Sequence, residues 1–135
     1  MTDSPAQDQP SVVTTKHSPR SVAETVARFA DILREKGVKV FTVIDQASEA
    51  RQAGLELRDT VLVVFGNPAG GTPVMVASPL AALDMPLKIL VWDDANQTKV
   101  SYYGPGALAG WHHLTAELAG KLAVIDSLTD ALVAT

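Results

Sequence analysis

The sequence predicts a two-layer α+β domain, a single, mostly antiparallel curved sheet with helices on one face. Three observations carry that expectation. A capped amphipathic segment at residues 21–37 lies between two β-branched runs. The apolar runs 60–65 and 87–92 are short and β-rich, and the second is followed by turn chemistry and an alternating partner. A leucine-rich stripe at helical spacing closes the chain.

Taken in order, residues 1–10 are polar and acidic and are expected to be a flexible tail, with residues 11–135 a single domain. Ser11 to Lys16 is β-branched and strand-like, and His17-Ser18-Pro19 is expected to break it. Ser21-x-x-Glu24 is a capping box. Val22, Val26, Phe29, Ile32 and Leu33 then recur at helical spacing, and Gly37 stands where a helix C-terminus favours glycine. Val38 to Ile44 is a strand, and Ala47 to Ala53 a short helix stopped by Gly54. Thr60 to Phe65 is a buried strand.

A glycine-rich loop, Gly66 to Gly71, is expected next, with Thr72 capping a helix that starts at Pro73. Pro79 and Pro86 keep the segment behind it short or broken. Leu87 to Trp92 and Thr98 to Tyr103 form a hairpin about the turn residues 93–97. After Gly104-Pro105-Gly106, Leu114, Leu118, Leu122, Ile125, Leu128 and Leu132 give the stripe of a C-terminal helix. This pattern places one long helix near each end, enough to cover one sheet face.

Composition narrows the function. Hydrophobic residues make up 47% of the chain, but there are only two Trp, two Tyr and three Phe, so the core must be aliphatic. The net charge of -4, with eleven Lys and Arg scattered, argues against nucleic acid as a partner. The absence of cysteine removes disulfides, thiol catalysis and thiolate metal sites. No secretory leader is visible, and no run approaches the ~18 apolar residues of a membrane helix, so a cytoplasmic protein without a membrane partner is expected.

The strings FGNPAGGTPVM, SPLAALDMPLKILVWDD and SYYGP, with the SVAETVARF helix and AGLELR, resemble the family known as domain of unknown function 302. The resemblance spans roughly residues 11 to 134. It implies a β-α-β(4)-α arrangement similar to the TATA-binding-protein-like fold, often as a homodimer, and implies no established activity. A shared fold does not transfer DNA binding. Three positions depart from the family pattern: Gln46 where a histidine often follows the Asp, Gly104 where an Asp often precedes the proline, and Trp111-His112 where Arg-His is common.

The candidate site is drawn from these residues. Backbone amides of Gly70, Gly71 and Thr72, with Asn67 before them, would suit a small anion at a helix start. The alternative is a tight connection in which the glycines supply positive φ. Trp111 and His112 are expected across a small pocket from that loop. His112 is the leading catalytic candidate, as a general base, if the protein is a hydrolase, lyase or isomerase. His112 and His113 diverge by about 100° on a helix and cannot share a metal, so neither a metal nor a cofactor is expected. Asp93 and Asp94 read as turn residues, and Asp45 as a helix cap. Trp92 or Tyr103 are candidate anchors of a dimer contact, because both apolar strands carry apolar residues on each face. The leading expectation is a homodimeric binding domain for a small, possibly anionic ligand. The alternatives are the enzyme above and a purely structural interaction domain.

Overall fold

The computed structural model describes residues 12–135. The expected tail, and Ser11 at the start of the first strand, lie outside the described residues. Five strands form one antiparallel sheet in the order β1-β5-β4-β3-β2. Strand β1 is Val13–Ser18, β2 Lys39–Asp45, β3 Thr60–Gly66, β4 Leu87–Asp94 and β5 Gln97–Tyr103. The helices are α1 (Val22–Glu35), α2 (Gln46–Gln52), α3 (Pro68–Ala77), a 3-10 turn (Pro79–Asp84), α4 (Pro105–His112), α5 (Ala116–Leu122) and α6 (Val124–Val133).

The first half follows its local signals. Ser21 Oγ accepts from the Glu24 amide, and the Glu24 carboxylate accepts from the Ser21 amide, closing the capping box. Gly37 ends the helix region at φ +69, and Gly54 follows α2 at φ +78. Both are left-handed positions that a side chain would strain. Asp45 caps α2 by accepting from the Ser48 amide. The β4–β5 turn is Ala95-Asn96, with φ 50 and 71, the two-residue hairpin geometry whose twist matches the strands.

Strand alternation sets the layers. Val61, Val63 and Phe65 on β3, Leu87, Ile89 and Val91 on β4, and Val100 and Tyr102 on β5 enter one core. Phe29, Ile32 and Leu33 of α1 and Ile125, Leu128 and Leu132 of α6 meet them there. Phe29 packs edge-on against Phe65 at 5.0 Å. The alternate strand residues Leu62, Leu90 and Trp92 are only partly buried and take no part in this core.

Three expectations are corrected. Strand β1 runs through His17 to Ser18, because Ser18 pairs with Thr98 and its hydroxyl is buried against Thr25 Oγ1 at 2.7 Å. Helix α3 starts at Pro68, not Pro73: Asn67 is the cap, its side chain accepting from the Ala69 amide. Asn67-Pro68 and Thr72-Pro73 carry the same cap-then-proline signal, and the earlier pair wins. Gly70 and Gly71 are therefore helical rather than positive-φ loop residues, and Pro73 lies inside the helix. The C-terminal stripe is divided between α5 and α6, with Leu114 in the connection before α5. His113 adopts the left-handed conformation at φ 53, and Thr115 caps α5.

Candidate functional site

A cavity of about 430 Å3 lies where α3 leaves the sheet. Phe65, Gly66 and Leu87 come from the strand ends, Lys36 and Val38 from the α1–β2 connection, and Asn67, Gly70 and Gly71 from α3 and its cap. Lys121, Leu122, Val124, Ser127 and Leu128 of α5, α6 and the joint between them close it. Its walls are mostly apolar. Among the described residues, the only charged ones that line it are Lys36 and Lys121, with no carboxylate.

The expected anion cradle takes a different form here. The amides of Gly70 and Gly71 both donate to the Asn67 carbonyl, each at 2.9 Å, as the first turn of α3. They are committed to the helix. What the glycines provide is space: Gly70 lines the cavity, and a Cβ added there would meet nothing within 4 Å. A Cβ on buried Gly71 would stand 3.2 Å from Met85 Cε. Thr72 lines a second, smaller cavity of about 170 Å3 with Phe41, Pro68, Met75 and Pro86.

Trp111 and His112 do not line either cavity. Trp111 packs edge-on against Tyr103 at 5.3 Å and stays 46% exposed. His112 Nε2 lies 2.6 Å from Asp84 Oδ2, with the histidine side chain 11% exposed. Ser78 Oγ also donates to the His112 carbonyl at 3.1 Å. Both ends of the 3-10 turn are thereby tied to the C-terminus of α4. Asp84 is separated from His112 by 28 residues, so nothing in the sequence around either residue marks them as a pair.

A second polar cluster was not legible in advance. Lys16 of β1 reaches Asp130 at 2.7 Å and donates to Thr129 Oγ1 at 2.7 Å. Tyr102 donates to Asp126 Oδ1 at 2.6 Å. Burial and the Asp126 hydrogen bond hold the Tyr102 phenol above its usual range. Burial alone would lower Lys16, but its bonds to Asp130 and Tyr102 outweigh that and raise it. The cluster fastens α6 to the sheet. Its side chains are all engaged with one another, and no cavity described above opens onto Lys16. Asp94 pairs with Lys99 at 2.7 Å beside the hairpin turn, as turn-stabilising chemistry. Among the described residues no three His, Asp or Glu side chains gather where a metal would need them.

Fold and sequence together define the class. Residues 14–134 match the family model for a domain of unknown function, DUF302, and the chain belongs to that family. A crystal structure of an uncharacterized conserved DUF302 protein from Bacillus stearothermophilus is similar with a TM-score of 0.77 at 21% identity. The match covers 90% of this chain and 95% of that one, and at this identity it shows the fold alone. Two proteins named fluoride-specific ion channel FluC 1, from Brucella suis and Brucella abortus, are each 39% identical over 101 residues, 74% of this chain. The chain spans only 40% and 37% of their respective lengths. No helix among the described residues is long and apolar enough to cross a membrane.

Proposed function

We propose that this chain is a non-catalytic binding domain for a small anion with an apolar body, held in the 430 Å3 cavity beneath α3. The observation that carries this is the composition of the lining. The volume lies in the range of ligand sites, the walls are aliphatic and aromatic, and both charges are positive. Lys36 and Lys121 suit the anionic group, the Asn67 Nδ2 amide group supplies a hydrogen-bond donor, and Phe65, Leu122 and Leu128 receive the body. Calorimetric titration with octanoate tests it, with fluoride as a second arm because of the name the Brucella relatives bear. Octanoate is expected to bind. Replacing Lys36 and Lys121 together by Met should weaken it several-fold, since each exposed charge contributes about 0.2–1 kcal/mol. Unchanged affinity in that variant would refute the assignment of the head group.

The same reading takes the chain as a homodimer joined through the sheet face away from the core. Val13, Leu62, Leu90 and Tyr103 line a shallow depression of about 270 Å3 there. Trp92 is half-buried beside it, its indole N–H donating to Ser101 Oγ at 2.9 Å. Tyr103, 42% exposed, is the better placed of the two expected anchors.

The enzyme alternative rests on the His112–Asp84 pair, which has the form of an oriented base. The cavity touching Asp84 measures only about 10 Å3, too small for a substrate. The pair is better explained as a tie between two helical elements.

A further inference from the structure

The two cavities beside α3 share four lining residues: Gly66, Asn67, Gly71 and Met85. Two of these have no side chain, and Asn67 is short and held in place by its Oδ1 cap on α3. The methionine is therefore the one long side chain between the compartments. A Cβ on Gly71 would meet Met85 Cε at 3.2 Å and Met75 Cε at 3.9 Å, so the Met85 methyl already stands against the bare face of Gly71. On the near side lies the larger cavity with its two lysines. On the far side, Phe41, Pro68, Met75 and Pro86 enclose a compartment without a charged lining residue. Charged at one end and mostly apolar in the rest, the pair of cavities has the profile of an acid with an alkyl tail.

We propose that Met85 is a specificity-determining gate, and that the ligand is an unbranched alkyl carboxylate whose accepted length Met85 sets. This rests on the binding reading above. Short acids lie wholly within the larger cavity. A longer tail must pass over Gly71 and displace the Met85 thioether, whose three rotatable bonds let it swing aside. Gly71 keeps the passage open, because any side chain there closes it against Met85.

The test is a titration of the full chain with butyrate, hexanoate, octanoate, decanoate and dodecanoate. Each newly buried methylene should raise affinity by about fourfold. In the wild type that climb should stop once the tail meets Met85. In Met85→Ala it should continue through the longer acids, so that the dodecanoate-to-butyrate affinity ratio exceeds that of the wild type. Met85→Leu, which retains the bulk, should keep the wild-type break. A methyl-labelled wild type gives an independent readout: the Met85 methyl resonance should move with dodecanoate and not with butyrate. The same break point in Met85→Ala as in the wild type, or a Met85 methyl indifferent to tail length, would overturn the gate and leave the binding site standing. No binding of any acid to the wild type would overturn both.

Discussion

His112 Nε2 and Asp84 Oδ2 lie 2.6 Å apart, joining the C-terminus of α4 to the end of the 3-10 turn that leads into β4. The bond is largely shielded, with the two side chains 11% and 26% exposed. Charge-assisted geometry in such a setting holds two elements in fixed register. Its effect on the site is indirect. Met85, the residue after Asp84, is the wall shared by the two cavities.

Truncating this tie should cost stability. His112→Ala leaves the Asp84 carboxylate partly buried without its partner, and a loss of about 1–3 kcal/mol is expected in denaturant unfolding. A change within a few tenths of a kcal/mol would show that the pair does not hold the turn.

The two glycines of α3 should respond in opposite directions. Gly70 is helical with open space beside it, so Gly70→Ala should stabilise the fold by about 0.5–1 kcal/mol through helix propensity. Gly71 faces Met85 and Met75 at close range, and Gly71→Val should destabilise by about 1–3 kcal/mol through crowding. It should also abolish stabilisation by octanoate while the protein stays folded. Equal melting temperatures for the two variants would contradict the packing described for Gly71.

Alkaline pH should weaken the attachment of α6. Tyr102 and Lys16 both hold their protons more tightly when folded than at the ordinary values of 10.0 and 10.5. The folded state therefore binds more protons than the unfolded one in that region. The stabilisation is fully present below pH 10.0 and is lost as pH rises through the raised folded values. Melting temperature against pH should fall above that point, and Tyr102→Phe should flatten the fall. Identical curves for the variant and the wild type would exclude Tyr102 as a source of the slope.

Self-association gives a fourth prediction. Sedimentation at micromolar concentration should report twice the 14.3 kDa chain mass, and Leu90→Lys on the uncovered sheet face should return it to a monomer. A dimer unaffected by that charge would place the contact elsewhere, with Val76, Leu80 and Leu83 the next surface to probe at 77%, 71% and 80% exposure.

What the sequence made legible was local. The capping box of α1, the left-handed glycines 37 and 54, the Asp45 cap and the β4–β5 turn each depend on residues a few positions apart. Helix α3 was misplaced because two cap-and-proline pairs compete within seven residues, and tertiary burial of Gly71 and Val74 decides between them. The long C-terminal stripe concealed a break, since its apolar spacing carries on from Leu122 to Ile125 across the helix boundary at Ala123. Within the site, Asn67, Gly70 and Gly71 were legible from their unusual composition. Lys36, Met85 and Lys121 were not, because only the fold brings α1, the β4 entrance and α5 around one cavity. Trp111 and His112 were grouped with the loop by chemistry alone, and the topology sets them against Tyr103 and Asp84 instead.

The central claim is that the cavity beneath α3 takes a small amphipathic anion. The most direct measurement is a nuclear magnetic resonance titration of the full chain with octanoate, followed at every assigned backbone amide. The account predicts saturable shifts concentrated at Asn67, Gly70, Gly71, Lys121 and Ser127, with the His112 amide little changed. Shifts that stay absent at millimolar octanoate, or that gather around His112 and Asp84 instead, would contradict it.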